Sequence, residues 1–170
     1  GAQRTVYDDV SVRSVEAVDF DTPEMLATHG EAVSGKWRPV EQESGLELEL
    51  NKESGTYAFG DPKWQGYRFS AEGFLSSAAN EIGIIAGLGD GSQFLCLLSP
   101  SDAGSRRLEV IQESAGDRKT IARFPSKAKN DRWIRFDLDL TESGLLQFYL
   151  DGRLVVRQPM DTSAVSGRPA

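Results

Sequence analysis

The stretch Asp131–Val156 reads DRWIRFDLDLTESGLLQFYLDGRLVV, and its pattern decides the fold. A two-residue period is typical of a β-strand with one buried and one wetter face. The turn Thr141–Gly144 separates two such runs, and Asp151-Gly152 between apolar residues favours a type I′ hairpin. The alternating apolar residues are Ile134, Phe136, Leu138, Leu140, Leu146, Phe148 and Leu150. The stretch therefore predicts a three-stranded antiparallel meander whose apolar face lies on a second sheet.

The rest of the chain repeats this pattern in short runs. Predicted strands lie at Thr5–Val12, Lys36–Val40, Gly45–Asn51, Thr56–Gly60, Trp64–Gly73, Glu81–Gly89, Gln93–Leu98, Arg107–Glu113 and Lys119–Phe124. About a dozen strands with turn signals about every 8–12 residues are typical of a sandwich or barrel, and strands this irregular favour two stacked sheets. The prediction is an all-β, two-sheet antiparallel jelly-roll sandwich. It forms one domain over residues 1–170, with 158–170 as a loop-like tail.

A single short helix is predicted near the N-terminus, at Asp21–Gly30 (DTPEMLATHG). Asp21 or Thr22 suits the N-cap position, and Pro23 and Glu24 suit the first turn. Gly30 suits the position at which the helix ends. His29, the only histidine, falls in the last turn, where the helix dipole favours it.

Charge and cysteine content narrow the classes of partner. The net charge of −7 argues against nucleic acid, because binding phosphates needs a surplus of Lys and Arg on one face. No apolar run approaches the ~20 residues of a membrane span, so membrane insertion is not expected. Cys96, the only cysteine, lies in the apolar run Phe94–Leu98, which predicts a small core filler. Nothing nearby suggests the histidine partner that a catalytic thiol needs.

Four motifs in order resemble the concanavalin A-like lectin/glucanase superfamily, and within it the laminin-G-like jelly-roll modules. They are WQGYRFSAE at Trp64–Glu72, IGIIAGLGDGSQFLCLL at Ile82–Leu98, DRWIRFDLDL at Asp131–Leu140 and LQFYLDGRLV at Leu146–Val155. The resemblance implies two antiparallel sheets, with sugar-contacting groups on the concave one. It also implies an extracellular or periplasmic module of a larger exported bacterial protein, although the absence of a disulfide would equally fit the cytoplasm.

The order of strands departs from that pattern at the two ends. Such modules usually finish with a strand like DDVxV after the Asp-Gly hairpin, whereas here TVYDDVSV at Thr5–Val12 stands first. The chain is therefore either circularly permuted or cut from a tandem array one strand out of phase. We expect residues 1–14 to pair with the same sandwich, or with a neighbouring domain or copy in a strand-exchanged oligomer.

Aromatic and planar polar residues mark a candidate glycan-binding row. Sugars are recognised by aromatic faces and by planar groups that pair with hydroxyls. The residues that alternate away from the apolar faces and fit this role are Trp64, Arg68, Trp133, Arg135, Asp137, Gln147 and Tyr149. The competing interpretation is a solvated outer strand, with Trp64 packed under a loop. Without a sugar site, the chain would be a structural or protein-interaction module.

A glycan-cleaving enzyme is the third alternative. Retaining glycosidases need two carboxylates about 5–5.5 Å apart. The family's retaining glucanases supply them from an E-x-D-x-x-E type strand, which this sequence lacks; Asp137 and Asp139 come nearest. The sequence therefore predicts no catalytic residue.

A structural Ca²⁺ ion is a further hypothesis. Asp8 falls on the apolar side of its predicted strand, and an unpaired buried carboxylate is costly. Asp19 and Asp21 could complete an oxygen site with it. A pairing of Asp8 with an arginine or a backbone N–H is the alternative.

Overall fold

A computed structural model describes residues 3–7, 10–11, 17–18, 22–43, 45–50, 54–77, 81–89, 91–101, 105–160 and 167–170, with side chains from Thr22 onward. The elements are β1 (Gln3–Tyr7), β2 (Val10–Ser11), β3 (Ala17–Val18), α1 (Pro23–His29), β4 (Gly30–Ser34), β5 (Trp37–Gln42), β6 (Gly45–Leu50), β7 (Thr56–Phe59), β8 (Tyr67–Leu75), β9 (Ile82–Ala86), β10 (Gln93–Pro100), β11 (Arg106–Ser114), β12 (Asp117–Ser126), β13 (Arg132–Leu140), β14 (Leu145–Leu150) and β15 (Arg153–Pro159).

The strands form two antiparallel sheets, and the predicted β-sandwich is confirmed. The large sheet has the order β15-β14-β13-β8-β1-β6-β5, with β2 and β3 attached beside β8. The small sheet has the order β12-β11-β10-β9, and β4 pairs with β7 separately. One apolar cluster between the layers holds both sheets together, and its members include Phe69, Phe136 and Phe148 from the large sheet and Cys96, Leu98 and Val110 from the small one.

The predicted meander is β13–β14–β15, and six of its seven alternating apolar residues are buried in the core, while Leu150 is partly buried against it. Asp151 and Gly152 between β14 and β15 both have positive φ, at 49° and 73°. A type I′ turn requires this at its two central positions, so the Asp-Gly prediction is confirmed. β14 and β15 fall out of simple register between Phe148 and Tyr149, where the pairing shifts by one residue.

The helix forms where its capping residues predicted it. Thr22 is the N-cap and accepts a hydrogen bond from the backbone N–H of Met25 at 3.2 Å. Gly30 ends the helix, Leu26 faces the core, and His29 is exposed in the last turn. Within the described ranges, no helix has the length and apolar character that crossing a membrane requires.

The first strand of the chain lies inside the large sheet rather than at its edge. β1 pairs antiparallel with β6 on one side and with β8 on the other. The strand Gln3–Tyr7 thus lies in the sandwich of its own chain, which is one of the two arrangements expected from the sequence. Whether the order reflects permutation or a tandem array stays a prediction.

The described C-terminal residues lie alongside the end of β9. β15 extends to Pro159, and an isolated antiparallel bridge joins Arg168 to Leu88, two residues beyond the end of β9. The backbone of Ala170 also exchanges two hydrogen bonds with Ile85. The sequence pattern gave no hint of this pairing, because Gly167–Ala170 carries no alternating apolar run.

Cys96 is fully buried, with 0 % of its surface exposed, as the core-filler prediction expects. Burial in apolar surroundings raises the pKa of its thiol well above the usual range, because the thiolate would lose its hydration. We expect a thiol reagent at pH 8 to leave the native protein unmodified over hours and to label it fully in denaturant. Mass spectrometry measures the extent of labelling, and rapid labelling of the native protein would contradict the burial of Cys96.

Candidate ligand-binding face

Six of the seven predicted binding residues share one face of the large sheet, directed away from the core. We call this surface the polar face: the outward-pointing residues of β8, β13, β14 and β15. It arises because strand alternation sends the apolar residues inward and their neighbours outward, while the register aligns the strands. The six residues are Arg68 on β8, Trp133, Arg135 and Asp137 on β13, and Gln147 and Tyr149 on β14.

Cross-strand register brings these residues side by side. Asp137 lies opposite Ser70 on one side and opposite Tyr149 on the other. Asp139, two residues along β13, lies between Arg68 and Gln147. Directly opposite residues in an antiparallel pair are close enough to interact. The face therefore presents two adjacent polar rows.

Trp64 does not belong to this face, which corrects the predicted alternation. β8 begins only at Tyr67, and Trp64 lies in the preceding loop, packed against the core. Its ring centroid is 6.2 Å from that of Tyr67. A Cβ on Gly60 would come within 2.2 Å of the indole, so the turn at Gly60 fits closely under the ring. Burying a large apolar ring against the core is more favourable than leaving it in water. This packing, and not the alternating pattern of a strand, determines where Trp64 lies.

Arg135, Asp137 and Ser70 form a hydrogen-bonded triangle at the centre of the polar face. Arg135 Nε donates to Asp137 Oδ1 at 3.0 Å and Arg135 Nη2 donates to Ser70 Oγ at 3.3 Å. Ser70 Oγ donates in turn to the same Asp137 Oδ1 at 2.6 Å. The Arg135 side chain remains 39 % exposed, so the network fixes the guanidinium while leaving part of it open to solvent. Such a preorganised planar group binds hydroxyl pairs at low entropic cost.

The second row carries an ion pair between Arg68 and Asp139. Arg68 Nη2 donates to Asp139 Oδ2 at 3.0 Å. The Arg68 side chain is 57 % exposed, whereas Asp139 is buried beneath it. Asp139 therefore holds one nitrogen of the Arg68 guanidinium and leaves the rest of that group exposed to solvent.

The apolar component of the face is Tyr149 with Leu154. Tyr149 is half-buried on β14, and Leu154 lies opposite it on β15 with 49 % of its surface exposed. Trp133 contributes less, because its ring packs edge-to-face on Phe74 with centroids 5.5 Å apart. A partly exposed tyrosine and leucine beside polar groups suit a ligand with both C–H and O–H surfaces.

Towards β6 the same side of the sheet is covered. Glu47 and Glu49 point away from the core, yet both are buried, and Glu49 accepts two hydrogen bonds from Arg38 at 2.6 and 3.1 Å. The accessible portion is therefore the part over β8, β13, β14 and β15.

Sequence reasoning missed Ser70 and Leu154 and considered Asp139 only as half of a carboxylate pair. Ser70 could have been found, because it shares the two-residue period of Arg68 on β8. Leu154 could not, because the register shift between Phe148 and Tyr149 breaks the alternation from β14 to β15. A bulge of this kind re-aims a side chain without any fixed sequence signal.

The three aspartates of the calcium hypothesis, Asp8, Asp19 and Asp21, lie outside the described residues. Among the side chains that the structure does describe, no group of three or more His, Cys, Asp and Glu residues could hold a metal ion. The calcium site remains a prediction from the sequence.

Comparison with known proteins supports the fold. No protein-family model and no curated protein matches the chain. Among solved structures, the chain is similar to the carbohydrate-binding module CBM66 from Bacillus subtilis, with 14 % sequence identity and a TM-score of 0.59 over 83 % of this chain and 84 % of that one. At this identity the likeness concerns the fold alone: both chains are β-sandwiches of closely similar extent.

Proposed function

We propose that the chain is a non-catalytic carbohydrate-binding module that binds a polysaccharide along the polar face. The observation that carries the proposal is the convergence of six residues chosen from sequence onto one accessible surface. The name of the similar solved structure, a carbohydrate-binding module, supports the same class of ligand. The wider assignment to laminin-G-like modules remains a resemblance.

The chemistry of the polar face suits sugar rings. Arg135 and Arg68 offer N–H donors fixed by aspartates, and Gln147 offers an amide beside them. Tyr149 and Leu154 supply the apolar strip against which the C–H side of a ring can pack. The four adjacent strands β8, β13, β14 and β15 span about 14 Å across the sheet, because neighbouring strands are about 4.8 Å apart. This length accommodates more than one ring of an extended polymer.

The aspartates on this face serve binding rather than bond cleavage in this proposal. Asp137 and Asp139 each accept a hydrogen bond from an arginine. A glycosidase instead needs one carboxyl group held protonated as a general acid beside a second carboxylate. Release of reducing sugar from any polysaccharide that the chain binds would overturn this part of the proposal.

The test is binding to a panel of soluble polysaccharides by affinity electrophoresis, followed by calorimetry for those retained. Arg135→Ala is expected to weaken binding about tenfold or more, because a hydrogen bond to a charged group is worth about 1.5–3 kcal/mol. Tyr149→Ala is expected to weaken it about fivefold or more, since losing about 50–100 Å² of apolar contact costs about 1–2.5 kcal/mol.

Each variant has a matched control on the small sheet. Arg123→Ala removes the same charge from an arginine bonded to Glu109, and Phe124→Ala removes an aromatic residue that is 39 % exposed. Both controls should bind as the parent does. Equal affinity for all four variants, or no retention by any polysaccharide, would leave the face without a sugar-binding role.

A further inference from the structure

A pocket of about 360 Å³ lies at one end of the small sheet, and none of its lining residues belongs to the polar face. It forms where the loop between β12 and β13 passes the start of β11. The residues that line it are Ser105, Ser126, Lys127, Ala128, Lys129 and Asn130. This lining carries two ammonium groups, two hydroxyl groups and one amide, and no carboxylate.

The fold joins two basic pairs of the sequence at this pocket. Arg106 and Arg107 begin β11, whereas Lys127 and Lys129 follow the end of β12. Antiparallel pairing sets Arg106 opposite Ser126, so the lysines leave β12 beside the arginines. Arg107 has Glu109 within 3.2 Å, but among the described residues no ion pair involves either lysine. A chain of net charge −7 thus carries a local surplus of positive charge here.

A buried charge fixes the orientation of Asn130. Arg106 is 5 % exposed, and its Nε donates to Asn130 Oδ1 at 3.0 Å while its Nη2 donates to the backbone oxygen of Ser76 at 3.2 Å. Only the oxygen of an amide accepts from an N–H group, so the NH2 group of Asn130 faces away from Arg106. Both N–H donors of that group remain available to a ligand in the pocket.

The other polar groups of the lining can also donate. Ser126 Oγ accepts a hydrogen bond from the backbone N–H of Ala128 at 3.1 Å, which leaves its hydroxyl hydrogen to donate. Each lysine ammonium has three donors and no acceptor. Donors beside positive charge form strong hydrogen bonds with an anion, because charge-assisted bonds are about twice as strong as neutral ones.

We propose that this pocket binds a tetrahedral oxyanion, a sulfate or phosphate group. Lys127 and Lys129 neutralise its charge, and the NH2 group of Asn130 and the hydroxyl of Ser126 bond to its oxygens. Such a group has enough oxygens to accept from all four side chains, whereas a carboxylate has only two. The carboxylate of Asp131, next to Asn130 in sequence, does not compete for these donors, because its Oδ1 accepts from the backbone N–H of Ser77 at 3.0 Å.

The experiment follows the amide signals of the whole chain by NMR during titration with sodium sulfate and, separately, with sodium phosphate. Sodium chloride at matched ionic strength is the reference. The side-chain NH2 of Asn130 and the backbone amides of residues 127–130 should shift saturably, with a Kd in the millimolar range. The anion that binds more tightly identifies the group that the pocket prefers. Shifts that do not saturate, or that chloride reproduces, would overturn the proposal.

Asn130→Asp tests the role of the oriented amide. The aspartate keeps an oxygen that accepts from Arg106, but it replaces the NH2 group with a second oxygen and brings a negative charge into the pocket. We expect binding of both anions to be lost while the melting temperature stays close to that of the parent. Binding of sulfate or phosphate with the affinity of the parent would show that the pocket does not hold the anion.

A double substitution tests the lysines against a control of equal charge. Lys127→Gln with Lys129→Gln should weaken binding about tenfold or more, because each lysine provides a charged hydrogen bond. The control, Lys36→Gln with Lys119→Gln, removes two exposed lysines from other parts of the surface and should bind as the parent does. An equal loss in both double variants would attribute the binding to the net charge of the chain and overturn the proposed site.

Discussion

Removal of residues 1–14 is expected to abolish cooperative unfolding of the chain. β1 lies between β6 and β8, with Thr5 opposite Leu48 on one side and Gly73 on the other. Its loss breaks two ladders and detaches β6 and β5 from the rest of the large sheet. At about 1 kcal/mol for each net hydrogen bond, the pairing alone approaches the total stability of about 5–15 kcal/mol for a domain of this size.

The measurement is urea unfolding followed by tryptophan fluorescence and circular dichroism. Residues 15–170 alone should show a broad, non-cooperative change, and a synthetic peptide of residues 1–14 should restore the transition when added in excess. In the whole chain, Val6→Pro should destabilise by about 1–3 kcal/mol, because proline cannot donate to the ladder and leaves a buried acceptor unpaired. Val6→Thr keeps the donor and the β-branch and should change little. If residues 15–170 unfold with the midpoint of the whole chain, the placement of β1 is wrong.

Phe136→Ala is expected to lower the free energy of unfolding by about 3–5 kcal/mol, in the highest range for a single core substitution. Phe136 is 1 % exposed and packs on Phe148, with ring centroids 6.3 Å apart. Truncating a buried phenylalanine costs about 3–5 kcal/mol, as lost transfer free energy plus the cavity left behind. Gly73 beside this ring offers no side chain to collapse into the space, since only its backbone faces Phe136.

Denaturant midpoints test this prediction against a control at the surface. Val33→Ala removes methyl groups from a residue that is 49 % exposed and should change the free energy of unfolding by less than about 0.5 kcal/mol. Phe136→Leu preserves more of the core volume and should cost less than the alanine variant. A loss below about 1 kcal/mol for Phe136→Ala would show that the meander does not form the centre of the core.

The candidate site was predictable wherever it depended on strand period. Arg68, Trp133, Arg135, Asp137, Gln147 and Tyr149 were found because each lies inside a regular strand, where alternation assigns its face. Trp64 was assigned to the wrong face because the alternating pattern was extended towards the N-terminus, although β8 begins only at Tyr67. Leu154 was missed because a register shift separates it from the pattern of β14.

The sequence by itself determined the class of fold, the meander with its Asp151-Gly152 turn, and the helix between Thr22 and Gly30. These depend on interactions between residues near one another in the chain, which leave periodic or capping patterns. Only the tertiary structure decided that β1 lies between β6 and β8 and that the backbone of Ala170 pairs with Ile85 on β9. Those features join segments distant in sequence through backbone hydrogen bonds, and backbone groups are the same for nearly every residue type.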